Sequence, residues 1–501
     1  MEDRRAPART PARLWLTGLL SITSLLSMSI TRTARAASPA PAASSDGGTA
    51  GVGRRPLPGS AAPVVRRPGP SGGLILVEPQ PALPLVRVVV AVRAGSAWDP
   101  RRKDGLANLV GELARRGAAG LSRVELDRRL DALGATLDVR TDPDSLRFEG
   151  HVLARYLDAY LGILSDVVLR PDFTAAELEN TRREILATID ESRNDDRTLC
   201  ARYFERHLYS DHPYGHAPDG DRQSLGRLTA ADVLAFHRRH FVGPNLVFAA
   251  HGDVTPESFA AAVEAHFRAL PAGKPPGPNP LAIRAPVPPK GWRISIIDKP
   301  ERQQVQMMFG HIAVPASDPD FVPLMVATSS FGGHGMTSTL MDEVRTRRGL
   351  AYGAYMNLSQ RLGAGASTAW VFSARSKAIT TLKLALRLYV ALMDKGIADG
   401  QLALAKTFLA GSLGSEMDDP DSRLEARVTA EITGLASDFV DTLPARVRST
   451  SAAEVRAAIG RRVHARDMAI TVVATAADFR KRLVDSKVAP SAVDVIPYED
   501  Y

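Results

Sequence analysis

One cysteine, Cys200, stands in 501 residues. That excludes an intramolecular disulfide and any zinc site built from several thiolates. No Gly-rich phosphate loop of the GxxxxGK[ST] kind is present, and no Ser-His-Asp combination has a nucleophile-elbow context. A succession of long apolar runs is also missing. Hydrophobic residues make up 45% and charged residues 24%, as is ordinary for a globular chain. A mainly disordered chain, a collagen and a multi-span membrane protein are thereby excluded. Nor is positive charge concentrated on the body of the chain. The net charge is +8, but residues 1–36 hold six arginines against two acids and so carry half of the excess. The remainder is thinly spread and is no nucleic-acid footprint, so no nucleic-acid partner is expected.

What is present begins with an address. Arg4, Arg5, Arg9 and Arg13 precede an apolar run from Leu14 to Ile30, and Ala34-Arg35-Ala36 follows. A basic region, an apolar region and an A-x-A site in that order predict a signal peptide over 1–36, cleaved after Ala36. The run contains Ser and Thr and is short for a span, and a retained anchor is the alternative. The expectation is export, to the periplasm in a Gram-negative cell, with no integral membrane span after cleavage. Residues 37–73, rich in Ala, Pro, Gly and Ser, read as a disordered spacer.

Structure is expected from about Leu74. The β-branched run over 85–92 predicts a strand. Leu106, Leu109, Val110 and Leu113 then recur at helical spacing. A helix over 124–133 carries Ser122 at its start and Gly134 at its end. Strands over 136–141 and 145–153, helices over 157–169, 174–193 and 231–241, and a strand from 246 complete the first half. Residues 271–290 hold eight prolines and read as a linker. Then the order repeats: strands at 293–297 and 305–312, helices near 321–331 and 338–348, strands at 351–359 and 367–374, further helices, and a strand at 469–473. The fold class predicted is α+β. Two similar tandem domains, 74–270 and 291–484, each a mainly antiparallel sheet packed with helices, would arise by internal duplication. Residues 485–501 read as a loosely held tail.

Several segments then resemble one family. They are Gly95-Ser96, Asp104-Gly105-Leu106-Ala107, Leu130-Asp131-Ala132-Leu133-Gly134-Ala135, His212-Pro213-Tyr214-Gly215, and Pro244-Asn245-Leu246 leading to Gly252-Asp253-Val254. In the second half they are Gln304 to Gly310, Phe331-Gly332-Gly333 with Ser338 and Leu340, and Arg345 through Tyr352. Their order and spacing resemble the insulinase, pitrilysin and mitochondrial-processing-peptidase metallopeptidases from about Leu74 to about Leu483.

The resemblance implies that active members carry His-x-x-Glu-His on the first helix, two imidazoles on one face gripping zinc and a Glu as general base. A distal Glu completes the ligand set. Alignment on Gly105-Leu106-Ala107 places Asn108 and Glu112 at the two histidines and Gly111 at the base. The stretch Ile185-Leu186-Ala187-Thr188-Ile189 places Thr188 at the distal ligand. An amide, a glycine, one carboxylate and a hydroxyl make no ordinary zinc site. Asn108, Gly111, Glu112 and Thr188 are therefore degenerate zinc-site positions rather than ligands, and no cofactor or metal is expected in this chain. His207, His212 and His216, with Asp211 between them, lie in a loop-like stretch where no helix face gathers them. His212 reads as part of a structural turn, and His237 and His240 as solvated residues of a basic surface.

Arg345 and Tyr352 remain. By the resemblance this pair contacts the substrate backbone and steadies a developing oxyanion, for which a fixed cationic fork and a neutral donor are suited. The alternative is a surface ion pair for Arg345 and a core position for Tyr352. The resemblance further implies a zinc-less subunit that pairs with a catalytic zinc-peptidase paralogue, carries the zinc only through that partner, and contributes contacts to an unfolded peptide substrate. Residues 332–338 are a short turn and not an extended Gly-rich loop, so handling of targeting peptides is not supported. The competing reading is a stand-alone peptide-binding or scaffold protein. An enzyme with a displaced site is the third.

Overall fold

The apolar, β-branched run, interrupted only by Arg87, does form a strand at Leu85–Val92, and from Val88 onward it is buried because it lies inside a sheet rather than at its edge. The structure is a computed structural model that describes residues 63–274, 285–333, 335–486 and 493–500. The proposed signal peptide, most of the proposed spacer and the middle of the linker lie outside the described residues.

The strands of the first half are β1 (Val65–Pro68), β2 (Leu74–Pro79), β3 (Leu85–Val92), β4 (Asp138–Thr141), β5 (Leu146–Leu153) and β6 (Leu246–Gly252). They form one sheet in the order β1-β2-β6-β3-β5-β4, in which only β2 and β6 run parallel. Its helices are α1 (Leu106–Ala114), α2 (Arg123–Leu133), α3 (Leu157–Leu169), α4 (Ala175–Ser192), α5 (Asp196–Tyr209), α6 (Arg222–Arg227), α7 (Ala230–His240) and α8 (Pro256–His266). Helix α2 has the expected ends: Ser122 and Glu125 make a capping box, and Gly134 closes it at φ 60°.

The second half repeats the plan. Strands β7 (Trp292–Asp298), β8 (Gln304–Ile312), β9 (Gly353–Leu358), β10 (Ala366–Ala374), β11 (Met468–Ala474) and β12 (Val493–Pro497) order as β9-β10-β8-β11-β7-β12. Read from the opposite edge, this matches the first sheet strand for strand. The outermost strand alone differs: β1 is antiparallel to β2, whereas β12 is parallel to β7. The helices are α9 (Phe321–Thr328), α10 (Ala378–Lys395), α11 (Asp399–Asp418), α12 (Pro420–Ile432), α13 (Phe439–Ser449), α14 (Ala452–Arg462) and α15 (Ala476–Asp485).

Each half lends one helix to the other. Helix α5 lays Leu199, Cys200, Tyr203 and Phe204 on the outer face of the second sheet, against Ile297, Met308 and Val473. Helix α12 lays Leu424, Val428 and Ile432 on the outer face of the first, against Leu76, Val89 and Val247. Ion pairs reinforce the exchange. Fully buried Glu78 accepts from Arg423 Nε at 2.6 Å and from Arg427 Nε at 3.3 Å. Glu425 pairs with Arg140 and Arg147. Burial acts to raise its carboxyl, but Arg147 and Arg140 outweigh it and hold the pKa down at about 2. Asp421 meets His251 Nε2 at 2.5 Å and His151 Nε2 at 3.3 Å, bonds that press its carboxyl well below the usual range.

Three expectations need correction. The spacer does not reach 73: residues from 63 are described, and β1 pairs with β2. The tail is not loose throughout, since β12 hydrogen-bonds to β7. In both cases a short strand at the edge of a sheet is held by a neighbour's backbone. His240 is buried against Phe236, and His237 bonds the Val168 carbonyl at 2.8 Å and packs on Phe241, so neither is solvated.

Candidate functional site

Gly105 opens α1 at φ 91°, where a Cβ would lie 2.9 Å from the Asp219 carbonyl oxygen. The half-buried Asp99 carboxylate accepts from Gly105 N and Ala107 N, both at 2.8 Å, and so fixes the start of the helix. Within α1, Leu106, Ala107, Leu109, Val110, Gly111, Leu113 and Ala114 are all buried. Only Asn108 and Glu112 are half-buried, four apart on one face. The structure thus brings together the two positions aligned with the histidines. It separates Gly111 from them. A Cβ at 111 would fall 2.5 Å from Leu146 Cδ1 and 2.7 Å from Val139 Cγ1. The place of the catalytic base is filled by two core side chains of β4 and β5.

Burial raises the Glu112 carboxyl, with Arg116 opposing and Glu184 adding to the rise. The Arg116 guanidinium, 8% exposed, bonds Glu184 on α4, with one branch at 3.1 Å, and that bond lowers the Glu184 carboxyl. Thr188, one turn beyond Glu184, is exposed and turns its hydroxyl back onto the Glu184 carbonyl at 3.1 Å. These residues do not fit zinc. One ligand position has an amide and another a hydroxyl bonded to its own helix. The base position has no room, and an arginine already supplies the positive charge near both carboxylates.

The three histidines go to three different partners, and the loop-like reading needs correction for His207, which lies on the last turn of α5. His207 sits 3.5 Å from Thr471 Oγ1, and burial lowers its pKa to about 4. His212 accepts from Tyr214 N at 3.2 Å and caps a short turn, as its sequence context implies. His216 pairs with Asp104. Among the described residues no group of three or more His, Cys, Asp or Glu side chains is arranged to hold a metal.

Arg345 and Tyr352 do meet. Arg345 lies in the π-helical turn Asp342–Thr346, and Tyr352 immediately precedes the edge strand β9. The Arg345 guanidinium carbon stands 4.9 Å from the Tyr352 ring centre. Tyr352 is 72% exposed and so is not a core residue. Among the described residues Arg345 makes no ion pair, whereas its neighbours Arg347 and Arg348 pair with Asp342 and Glu343. Sequence reasoning missed what surrounds this pair. Phe372, Trp370 and Tyr355 continue the ring row from Tyr352, and Arg197 covers Trp370. The signal was there, because Trp370 and Phe372 are two apart in a predicted strand and must share a face.

Comparison with known proteins identifies the family and the fold. Residues 74–218 match the model of the insulinase family, peptidase family M16, and residues 227–409 match the model described as the peptidase M16 inactive domain. An uncharacterized zinc protease of Mycobacterium tuberculosis is 27% identical over 383 residues, 76% of this chain and 86% of that one. The non-peptidase homolog YmxG of Helicobacter pylori is 23% identical over 403 residues, 80% of this chain and 91% of that one. Among solved structures, a peptidase M16 inactive domain from Pseudomonas fluorescens superimposes with a TM-score of 0.75 at 24% identity, covering 82% of this chain and 98% of that chain. A protease from Helicobacter pylori gives 0.73 at 16% identity, covering 82% and 99%. With the two-domain fold in common and the zinc-helix positions replaced, the chain belongs to the insulinase (M16) peptidase family as an inactive, peptidase-like member.

Proposed function

We propose that this chain is the non-catalytic subunit of an exported heteromeric zinc peptidase. It closes the peptide chamber of a zinc-bearing paralogue and presents Arg345 and Tyr352 in trans to the substrate bound there. One contrast carries the reading: the base position on α1 is packed shut against Val139 and Leu146, while Tyr352 is exposed and Arg345 beside it makes no ion pair among the described residues. A chain that has lost the means of activating water but keeps a cationic fork and a phenol can still bind a peptide backbone and stabilise an oxyanion made elsewhere. Export is supported by the basic, apolar and A-x-A order over residues 1–36. No helix among the described residues is long and apolar enough to cross a membrane.

The test is reconstitution with a paralogue from the same genome that carries an intact His-x-x-Glu-His. The mature chain alone is expected to hold no stoichiometric zinc and to leave a quenched fluorescent peptide uncut. The mixture is expected to cleave faster than the paralogue alone. About one zinc per chain, with turnover by this chain alone that Glu112→Ala abolishes, would overturn the proposal.

A further inference from the structure

On the outer face of the second sheet, α5 covers the central strands. The rest of that face, toward β9, carries four aromatic rings in a row. Tyr355 stacks on Trp370 at 5.4 Å and 20°, Trp370 on Phe372 at 4.8 Å and 23°, and Tyr352 leans on Phe372 at 6.1 Å. A guanidinium stands near each end: Arg197 lies 3.8 Å from the Trp370 ring centre and Arg345 4.9 Å from that of Tyr352. Neither makes an ion pair among the described residues. Asp196, next to Arg197 in sequence, is paired with Lys299 Nζ at 2.6 Å, and Asp195 is engaged in capping α5, where it accepts from Thr198 N at 2.6 Å.

The duplicated fold supplies an internal comparison. At the same place on the first sheet, β4 and β5 present Arg140, Arg147 and Glu149, and Glu425 of α12 seals the two arginines. One copy is closed by ion pairs within the chain, while the other is left as rings and unpaired cations. The rings also depend on a particular residue beneath them. A Cβ at Gly353 would fall 2.6 Å from Phe372 and 2.8 Å from Tyr355, so both rings lie across the strand only because position 353 has no side chain. Tyr352 and Tyr355 are 72% and 41% exposed.

Flat rings attract flat apolar groups, and a guanidinium without a counter-ion is matched by a carboxylate. The row runs over three ring-to-ring steps of 4.8–6.1 Å, the reach of about five residues of extended chain. We propose that this row, with Arg197 and Arg345, is a docking face for extended peptide segments in which an aromatic side chain stands between acidic ones. The aromatic side chain lies on the rings and the flanking carboxylates meet the two arginines. This deepens the reading of the chain as a peptide-binding subunit and rests on it.

The test uses the full mature chain and four dye-labelled peptides read by fluorescence anisotropy. They are Trp flanked by Glu, Trp flanked by Lys, the Glu peptide with Ala for Trp, and a Gly/Ser control. The Glu/Trp peptide is expected to bind at least about tenfold tighter than the Lys version, with affinity falling as salt rises. Trp370→Ala and Arg197→Gln should each weaken it roughly tenfold. Gly353→Ala should weaken it as well, by displacing rings it does not remove. Tyr352→Ala, at an exposed site, gives a variant whose folding is not at stake, and circular dichroism checks the others. Equal affinity for the Glu and Lys peptides, or wild-type affinity in both Tyr352→Ala and Arg197→Gln, would overturn the docking face and leave peptide binding standing. Failure of all four peptides to bind would overturn both.

Discussion

Gly111 offers a direct measurement of how far α1 has departed from a zinc helix. In an ordinary helix interior, replacing glycine by alanine stabilises by about 1 kcal/mol. Here the added Cβ would meet Leu146 Cδ1 at 2.5 Å and Val139 Cγ1 at 2.7 Å, roughly an ångström inside ordinary contact. Leu146 is fully buried, Val139 is 5% exposed, and the branched Val139 side chain has little rotamer freedom on its strand. Overpacking of this kind costs about 1–3 kcal/mol. The steric cost outweighs the propensity gain, so Gly111→Ala should destabilise by about 1 kcal/mol. Thermal melting followed by circular dichroism should then fall by about 2–4 °C if the first half melts as one unit. The sharper assay is a double-mutant cycle. Val139→Ala alone opens a cavity, but in the Gly111→Ala background it also relieves the clash, so the two changes should couple by at least about 0.5 kcal/mol. A Gly111→Ala variant that melts higher than wild type, with a Val139→Ala effect that simply adds, would refute the claim that the base position is closed by the core.

Three further outcomes are expected. Asn108→His, Gly111→Glu, Glu112→His and Thr188→Glu together should fail to bind zinc, and adding Val139→Ala, Leu146→Ala and Arg116→Ala should create measurable affinity by titration calorimetry; equal zinc binding with and without the three relieving changes would contradict the packing argument. In a reconstituted mixed complex, Arg345→Ala should lower peptide turnover by roughly 10²–10³ without changing assembly on gel filtration, the range typical of losing an oxyanion donor, and Tyr352→Phe should do less; wild-type cleavage by both would make the pair structural. The carboxyls of Asp421 and Glu425 lie below their unfolded values, so the stability they contribute is complete above about pH 5 and is lost progressively as pH falls toward about 2. Melting temperature followed from pH 6 to pH 2 should show that loss, and Glu425→Gln should flatten it.

Local periodicity made the repeat legible. The strand run over 85–92, the helix through Leu106 and Leu113, and the caps Ser122 and Gly134 each carry their own signal in neighbouring residues, and each formed as expected. By resemblance to the family's zinc helix, Asn108, Gly111, Glu112 and Thr188 read as substitutions, because chemistry that requires an imidazole or a carboxylate is absent whatever the surroundings. Strands β1 and β12 were missed, since each is only four or five residues long and is held by pairing with β2 or β7. Helix α5 was missed because the face it buries is matched to a sheet in the other half of the chain.

The amino-acid order by itself determined that there are two copies of one α+β plan and that Arg345 and Tyr352 are present seven apart, and its resemblance to the family implied a first helix without the metal-binding residues. Tertiary structure alone decided that Gly111 faces the core rather than the open side of α1, and that Arg116 stands near both Glu112 and Glu184. It also decided that Trp370, Phe372 and Tyr355 join Tyr352 in one partly exposed row beside two arginines that make no ion pair among the described residues. The physical reason is distance along the chain: propensity and spacing act over a few residues, whereas these arrangements bring together side chains tens to hundreds of residues apart, whose meeting depends on how the two sheets and their exchanged helices pack.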